Sequence, residues 1–460
     1  MSTDPIQSYF TEKRRWQSWL DVEGALARVQ AEAGIIPDWA GPVISVAANL
    51  DSLDLDALQA NVGKTMAPVY ALSRALAAAS GPAGDWVHWG ATTQNVIDAG
   101  RLLVLKDVQR EIKERLGDVL RCLADMAETH SETPMVGRTN RQHALPITFG
   151  FKIAGWIDEL VRVCDQLEEC EDRLFVLRFG GAIGTFQSLG EAGLAISTRL
   201  AEELGLKPAL YEGRAQVDVY VEYVSRLGML GVAATRIAGE LYEAMQSEIR
   251  ELAEDLGHDV VGSSTMPHKV NPKLVVTLKA DANRLRALGA SAFAITPPSF
   301  EGDAVTNREL RGLVEDTVSR ALSVSSGLKT VLDAVAINAD RMAVTLSSSA
   351  EETALESVMM HLAPKIGRAA AHDVLHEAAT CARDTGTALQ TLVQSMPEVT
   401  NALDGETLAR LFDPVLNTGQ SAHVARQLVA LGRERAKGLT SGPSESRKAL
   451  ATFGSAAQRS

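Results

Sequence analysis

Aromatic residues make up only 5% of the 460-residue chain, so any large core must be built mainly from Ala, Leu and Val, a choice that favours helix. Positive charge is also in deficit. The formal net charge is −13, which argues against a nucleic-acid partner, whose phosphates would be repelled. No run reaches the roughly 18 uninterrupted apolar residues that a membrane helix needs, so no membrane span is expected. The four cysteines, Cys122, Cys164, Cys170 and Cys381, fit neither zinc nor disulfide spacing. A reducing cytoplasm is therefore expected. The opening residues MSTDPIQSYF carry an early Asp and no apolar segment, unlike a signal peptide.

Proline is missing over three long intervals: between Pro146 and Pro208, between Pro208 and Pro267, and between Pro298 and Pro364. What fills them is helical patterning. Leu227, Leu230, Ile237 and Leu241 fall at helical spacing and predict one helix over 217–256, about 60 Å long at ~1.5 Å per residue. Comparable helices are expected over 100–130, 148–177, 272–293 and 308–338. Such helices are too long for a compact monomeric domain and predict a bundle that buries apolar stripes mutually and against other subunits. With 46% hydrophobic residues the chain can bury a large core, and its length suggests about two or three domains. The expected division is 1–104, 105–345 and 346–460. Short hairpin strands are expected only in the end regions, and 441–460 read as a polar tail.

Four stretches could carry chemistry. VGSSTMPHKVNPK, 261–273, has no apolar periodicity and two breakers. Asn271 and Pro272 read as the N-cap and first residue of a helix, so the loop would bring Ser263, Ser264, His268 and Lys269 to a helix start. Free N–H groups and a positive dipole end suit a carboxylate or phosphate there, and the loop could close as a lid. Its plain alternative is an ordinary capped connector. VHWGATTQNVID, 87–98, offers His88 as a proton donor or acceptor, while Thr92 or Thr93 could simply cap the next helix. GRTNRQHALPITFG, 137–150, gathers Arg138, Arg141, Gln142 and His143 ahead of Pro146, and could equally be a solvated polar loop. HDVLH places His372 and His376 at i and i+4, a zinc-binding spacing, but no nearby third ligand is evident. An exposed helix face explains it better, and neither metal nor cofactor is expected.

GSSTMPHKVNP resembles the signature of the fumarase/aspartase superfamily. HWGATTQNVIDAG, GRTNRQHALPITFGFKIAGW and FGGAIGT (179–185) are similar to further superfamily stretches, in the right order. WLDVEGALARVQAEAGIIP, LAPKIGRAAAH and LFDPVLNTGQSAHVAR resemble the carboxymuconate cycloisomerase subgroup, with adenylosuccinate lyase-like lyases more distant. The resemblance spans nearly the whole chain. It implies an all-α, three-domain subunit with a long central bundle. It further implies a homotetramer with a 20-helix core and active sites shared between subunits. The implied chemistry is reversible β-elimination from a di- or tricarboxylate through an aci-carboxylate dianion. By resemblance Ser263 is the general base, and His88 and His143 are candidate acids or carboxylate partners. Thr92, Thr93 and Gln142 map to substrate-holding positions, and Lys269, Asn271 and the helix start would meet the dianion. Arg138, Asn140, Arg141, Gln216, Ser264, Met266 and Arg308 complete the expected substrate-binding set.

Several positions depart from the pattern. Asn140 stands where many superfamily lyases have His, and Arg141 where the cycloisomerase has Leu. Val217 and Val219 replace two arginines of the subgroup, Thr306-Asn307-Arg308 replaces His-Glu-Arg, and Val270 replaces a further Arg. The reaction machinery is thus retained in a re-cut pocket. The expectation is a lyase acting on a succinyl-type compound. A true cycloisomerase, a non-catalytic tetrameric scaffold and a zinc hydrolase are the alternatives.

Overall fold

The computed structural model describes residues 9–257 and 260–440; the first eight residues and the 441–460 tail read above as polar lie outside them. The described chain is mostly helix. The expected long helices appear as Thr93–Thr129, Phe149–Leu174, Asp218–Ala244, Leu274–Ser291 and Ala304–Ala334, and Glu12–Glu32 and Ser421–Thr440 are each longer than Leu274–Ser291. Each of the first five overlaps one of the expected spans, although Thr93–Thr129 starts seven residues before the expected 100. Their apolar stripes are inward: Leu227, Leu230, Ala234, Ile237 and Leu241 alternate by three and four positions and are all fully buried.

Two long helices meet at glycine. A Cβ on Gly289 would lie 2.4 Å from Gly228 Cα, so Asp218–Ala244 and Leu274–Ser291 cross at backbone contact. No side chain fits there.

One expected helix is shorter than its sequence suggested. Instead of running to 256, it ends at Ala244. The chain then turns, with Ile249 N donating to Gln246 O and Arg250 in the left-handed region at φ 54°. Leu252–Glu254 leaves as a strand, paired antiparallel with Val335–Ile337. Tertiary pairing has overridden the helical propensity of 245–256. A second difference is the hairpin Pro134–Thr139/Gln142–Thr148, which lies in the central span rather than in an end region.

Two compact units emerge. Among the described residues, the first comprises 9–115 with Val163–Val232 and Ala280–Ser326. The second comprises Leu116–Arg162, 233–279 and 327–440. Within the second, the helices Ala350–Ile366 and Arg368–Thr385 and the shorter helices after them close a small separate core around Val358, Leu362, Leu375, Val393 and Leu408. No described helix is long and apolar enough to cross a membrane.

Candidate active site

In the first unit His88 follows the 3₁₀ turn Gly81–Trp86 and sits in the left-handed region at φ 60°, uncommon for a non-glycine residue. Its Nδ1 lies 2.5 Å from Glu23 Oε1, a carboxylate carried inward on the helix Glu12–Glu32. Next to it, Gln30 Nε2 donates to Trp89 O at 2.8 Å. The helix Thr93–Thr129 starts without a hydroxyl cap: Thr92 N donates instead to Asn95 Oδ1, at 3.3 Å. The hydroxyls of Thr92 and Thr93 have no partner among the described residues, which answers the capping alternative.

Burial alone would lower the His88 pKa, but the hydrogen bond and charge of Glu23 outweigh it, and the value is raised. A raised folded-state value means that protonated His88 stabilises the fold fully below its unfolded pKa of about 6.5. That contribution fades as pH rises through the folded value. Thermal melts of the native protein and of Glu23→Gln should therefore differ most near pH 6, by ~1.5–3 kcal/mol as for a charged hydrogen bond, and less at pH 9. A difference that does not shrink with pH would rule out the charged pair.

Around this stretch stand residues that sequence reading missed. Gln94 Nε2 donates to Asp98 Oδ1 at 2.8 Å, and Asn307 Nδ2 donates to Gln94 Oε1 at 3.0 Å. Arg101 pairs with Asp98 at 3.3 Å. Burial raises the Asp98 carboxyl against the opposing effects of Arg101, the Gln94 hydrogen bond, Arg214 and Arg178. The FGGAIGT loop packs nearby: a Cβ on Gly181 would lie 3.7 Å from Gly90 O. Gln216, an expected substrate residue, has a buried amide oxygen with no partner among the described residues. Arg308 is exposed on the helix that also carries Asn307. Glu23 had a sequence signal, a carboxylate on an otherwise apolar helix face. Arg178 and Arg214 had none beyond flanking glycine-rich turns.

In the second unit the 137–150 stretch is not a loop but the hairpin described above. Arg138 faces His143 and Thr139 faces Gln142 across a two-residue turn. Asn140 and Arg141 form the turn, both left-handed, at φ 50° and 64°, as this tightest hairpin turn requires. Asn tolerates that conformation; Arg does so at a cost. Arg141 is exposed and lies 3.3 Å from Glu243. Arg138 gives both guanidinium nitrogens to Glu251, at 2.6 and 3.0 Å, so its fork is taken. Arg138, Arg141 and His143 line a cavity of about 1120 Å³ together with Lys152, Arg236 and Arg341.

The signature loop belongs to the same unit and is closed on itself. Asn271 Nδ2 donates to Gly262 O at 3.1 Å, and a Cβ on Gly262 would meet Lys269 O at 2.5 Å, so only glycine fits. Ser263 Oγ receives the N–H groups of Met266 and Thr265, at 3.2 and 3.4 Å. Ser264, Met266, His268 and Lys269 are exposed. The expected cap is corrected here: the helix begins at Leu274, and neither Asn271 nor Pro272 starts it. Its first amides are already occupied, because Glu254 accepts from Lys273 N, Leu274 N and Val275 N at 2.7, 3.2 and 2.7 Å. A carboxylate of the protein fills the anion position that sequence reading reserved for substrate. No hydrogen bond among the described residues joins Ser263 to His143. His372 and His376 stack with ring centroids 5.9 Å apart, and no group of three or more metal-ligating residues occurs among the described residues.

The pattern of a family described as Lyase matches residues 1–285, and that of the adenylosuccinate lyase C-terminus matches 354–437. The 3-carboxy-cis,cis-muconate cycloisomerase of Pseudomonas aeruginosa is 36% identical over 94% of this chain and 95% of its own. The N-acetyl-S-(2-succino)cysteine lyase of Enterococcus italicus is 30% identical over 93% and 94%. Among solved structures, a fumarate lyase from a Mesorhizobium species superposes with a TM-score of 0.86 at 31% identity, covering 93% of this chain and 97% of that one.

Proposed function

This chain belongs to the fumarase/aspartase superfamily of lyases, and on that premise we propose that it catalyses reversible β-elimination from a succinyl-type di- or tricarboxylate, with a fumarate-like product. The observation that carries the reading is the pair of N–H groups on Ser263 Oγ. A free serine is far too weak an acid to act as a base at neutral pH, and donors aimed at its oxygen favour the alkoxide. Ser263 takes the proton from the carbon next to a carboxylate. The electron pair moves into that carboxylate, giving an aci-dianion that Lys269 and Asn271 hold. Collapse of the dianion forms the double bond and expels the leaving group, which takes a proton from His88 or His143. That leaving group is nitrogen, oxygen or, as the name of the Enterococcus italicus relative suggests, sulfur.

A second reading is favoured by the Pseudomonas aeruginosa relative: carboxymuconate cycloisomerisation. Val217 and Val219 weigh against it. Each missing Arg–carboxylate fork removes a contact of ~1.5–3 kcal/mol. The test compares kcat/KM for the muconate lactone with a panel of amino-, hydroxy- and thio-succinates, followed by ultraviolet absorbance of the unsaturated product. The succinates are expected to win; a tenfold advantage for the lactone restores cycloisomerisation. Arg141→Ala should lower the best succinate rate if that arginine meets the leaving group.

The proposal includes three domains, 1–104, 105–345 and 346–460, and a homotetramer whose 20-helix core completes shared sites. Light scattering at micromolar concentration should give four times the 49.2 kDa chain mass. A monomer mass would defeat both the tetramer and the shared site.

A further inference from the structure

We propose that Glu23 is a positioning residue for the reaction. It holds His88 as an imidazolium, with Nδ1–H on the carboxylate and Nε2–H left for the substrate, so that His88, not His143, gives the proton to the leaving group. This rests on the lyase reading above and assigns the acid that it leaves open between two histidines.

The helix Glu12–Glu32 grips the 88–90 turn at two places. Glu23 and Gln30 stand at i and i+7 and so share a helix face. Glu23 Oε1 lies 2.5 Å from His88 Nδ1, and Gln30 Nε2 donates to Trp89 O at 2.8 Å. One face thus fixes the side chain of one residue and the backbone of the next. A Cβ on Gly90 would lie 2.6 Å from Leu189 Cδ2, so the turn is also packed closely from another segment. His88 itself is left-handed at φ 60°, a conformation that persists where the surroundings over-determine it.

Charge decides what the pair does. The Glu23 side chain is 3% exposed, and its Oε2 has no hydrogen-bond partner among the described residues. A buried carboxylate needs a counter-charge, and among the described residues His88 is its one ion-pair partner. A carboxylate only accepts, so Nδ1 carries a hydrogen. Burial of the ring opposes its protonation; the hydrogen bond and charge of Glu23 favour it and prevail, and no other charged group among the described residues acts on the ring. Nε2 then carries the second hydrogen and has no partner among the described residues, while 24% of the side chain stays exposed. His143 has no such support. It is exposed and makes no hydrogen bond or ion pair with a described residue, and its cross-strand neighbour Arg138 takes both oxygens of the buried Glu251.

In elimination Ser263 takes the carbon-bound proton. The bond to the leaving group breaks with its electron pair on that group, which takes the Nε2 proton. His88 is left as neutral imidazole, still donating Nδ1–H to Glu23. One proton is gained at Ser263 and one lost at His88, and exchange with solvent resets both.

The test uses the full-length protein. In a titration followed by nitrogen NMR of isotopically labelled histidines, the His88 midpoint should fall by about 1 pH unit or more in Glu23→Gln. The alkaline limb of kcat/KM, read with the best succinate of the panel above, should move to lower pH in the same variant, and Glu23→Asp should restore part of it. Two aryl ethers, 2-phenoxysuccinate and 2-(4-nitrophenoxy)succinate, differ in leaving-group basicity but not in the succinyl part. His88→Gln should lower turnover of the phenoxy ether by about 10²–10⁴-fold and of the nitrophenoxy ether far less, because nitrophenolate leaves without a proton. His143→Gln should treat the two alike. A merely structural Glu23 would lower both ethers equally and leave the limb in place. If Glu23→Gln fails to fold, the His88→Gln and His143→Gln ratios carry the result. Equal losses on the two ethers in His88→Gln, or a selective loss in His143→Gln, overturns the assignment. An unmoved midpoint and limb in a folded, active Glu23→Gln overturns the positioning role and keeps the lyase reading. No elimination by the native protein from any succinate or ether sinks the lyase reading and the acid role with it, while the NMR midpoint still decides the ion pair.

Discussion

Ser263→Ala should lower turnover about a thousandfold or more, within the ~10²–10⁴-fold range for loss of a proton-transfer group, while substrate affinity is largely kept. The hydroxyl is the only part of residue 263 that the loop addresses, through the N–H groups of Thr265 and Met266. Alanine removes the base and leaves the closing contact of the loop, Asn271 Nδ2 to Gly262 O, untouched. Steady-state kinetics alongside binding of a dicarboxylate inhibitor separates the two effects. Near-normal turnover would move the base to Ser264 or His143.

The largest effect on stability is expected at the helix crossing. Gly289→Val places a branched side chain where a Cβ alone would stand 2.4 Å from Gly228 Cα. Backbone cannot rotate aside as a side chain can, so the two long helices must separate and lose packing along their contact. Overpacking of this kind costs about 3 kcal/mol, the upper end of the usual range. Gly63→Ala is the contrasting case. It lies in the helix Leu55–Thr65 with nothing within 4 Å of its Cβ position, and should stabilise by ~0.5–1 kcal/mol. Thermal melts at one fixed protein concentration would show the two shifts with opposite signs. A Gly289→Val melt equal to the native one would mean that the helices do not touch at this point.

The long helices were legible because their signal is local. Missing prolines and a three-four alternation such as Leu227, Leu230, Ile237 and Leu241 require no knowledge of the rest of the chain. The end of that helix was not legible, since Ile249, Leu252 and Leu256 continue an apolar pattern while the strand partner, Val335–Ile337, lies far along the sequence. The hairpin was hidden for a related reason. Asn140-Arg141 lacks the glycine that usually betrays such a turn, and the polar run around it reads as loop. The signature loop announced its chemistry but not its anchor, because nothing local to Lys273 marks Glu254 as its partner.

Glu254 and Lys273 lie 19 positions apart, so their contact makes the signature segment a closed ring in the polymer sense. Inside it sits a second, smaller ring, clasped by Asn271 and Gly262, nine positions apart. The entropy of closing a ring rises only with the logarithm of its length, about 0.6 kcal/mol per doubling. Residues inserted just after Asp255 would lengthen the outer ring alone and cost a small fraction of that. The same insertion between Gly262 and Asn271 would break the close approach of Gly262 to the Lys269 carbonyl and move the donors off Ser263. Length is therefore free to drift in the outer ring and fixed in the inner one, and a library of single-residue insertions through 255–271 should divide into tolerated and inactive halves at Gly262.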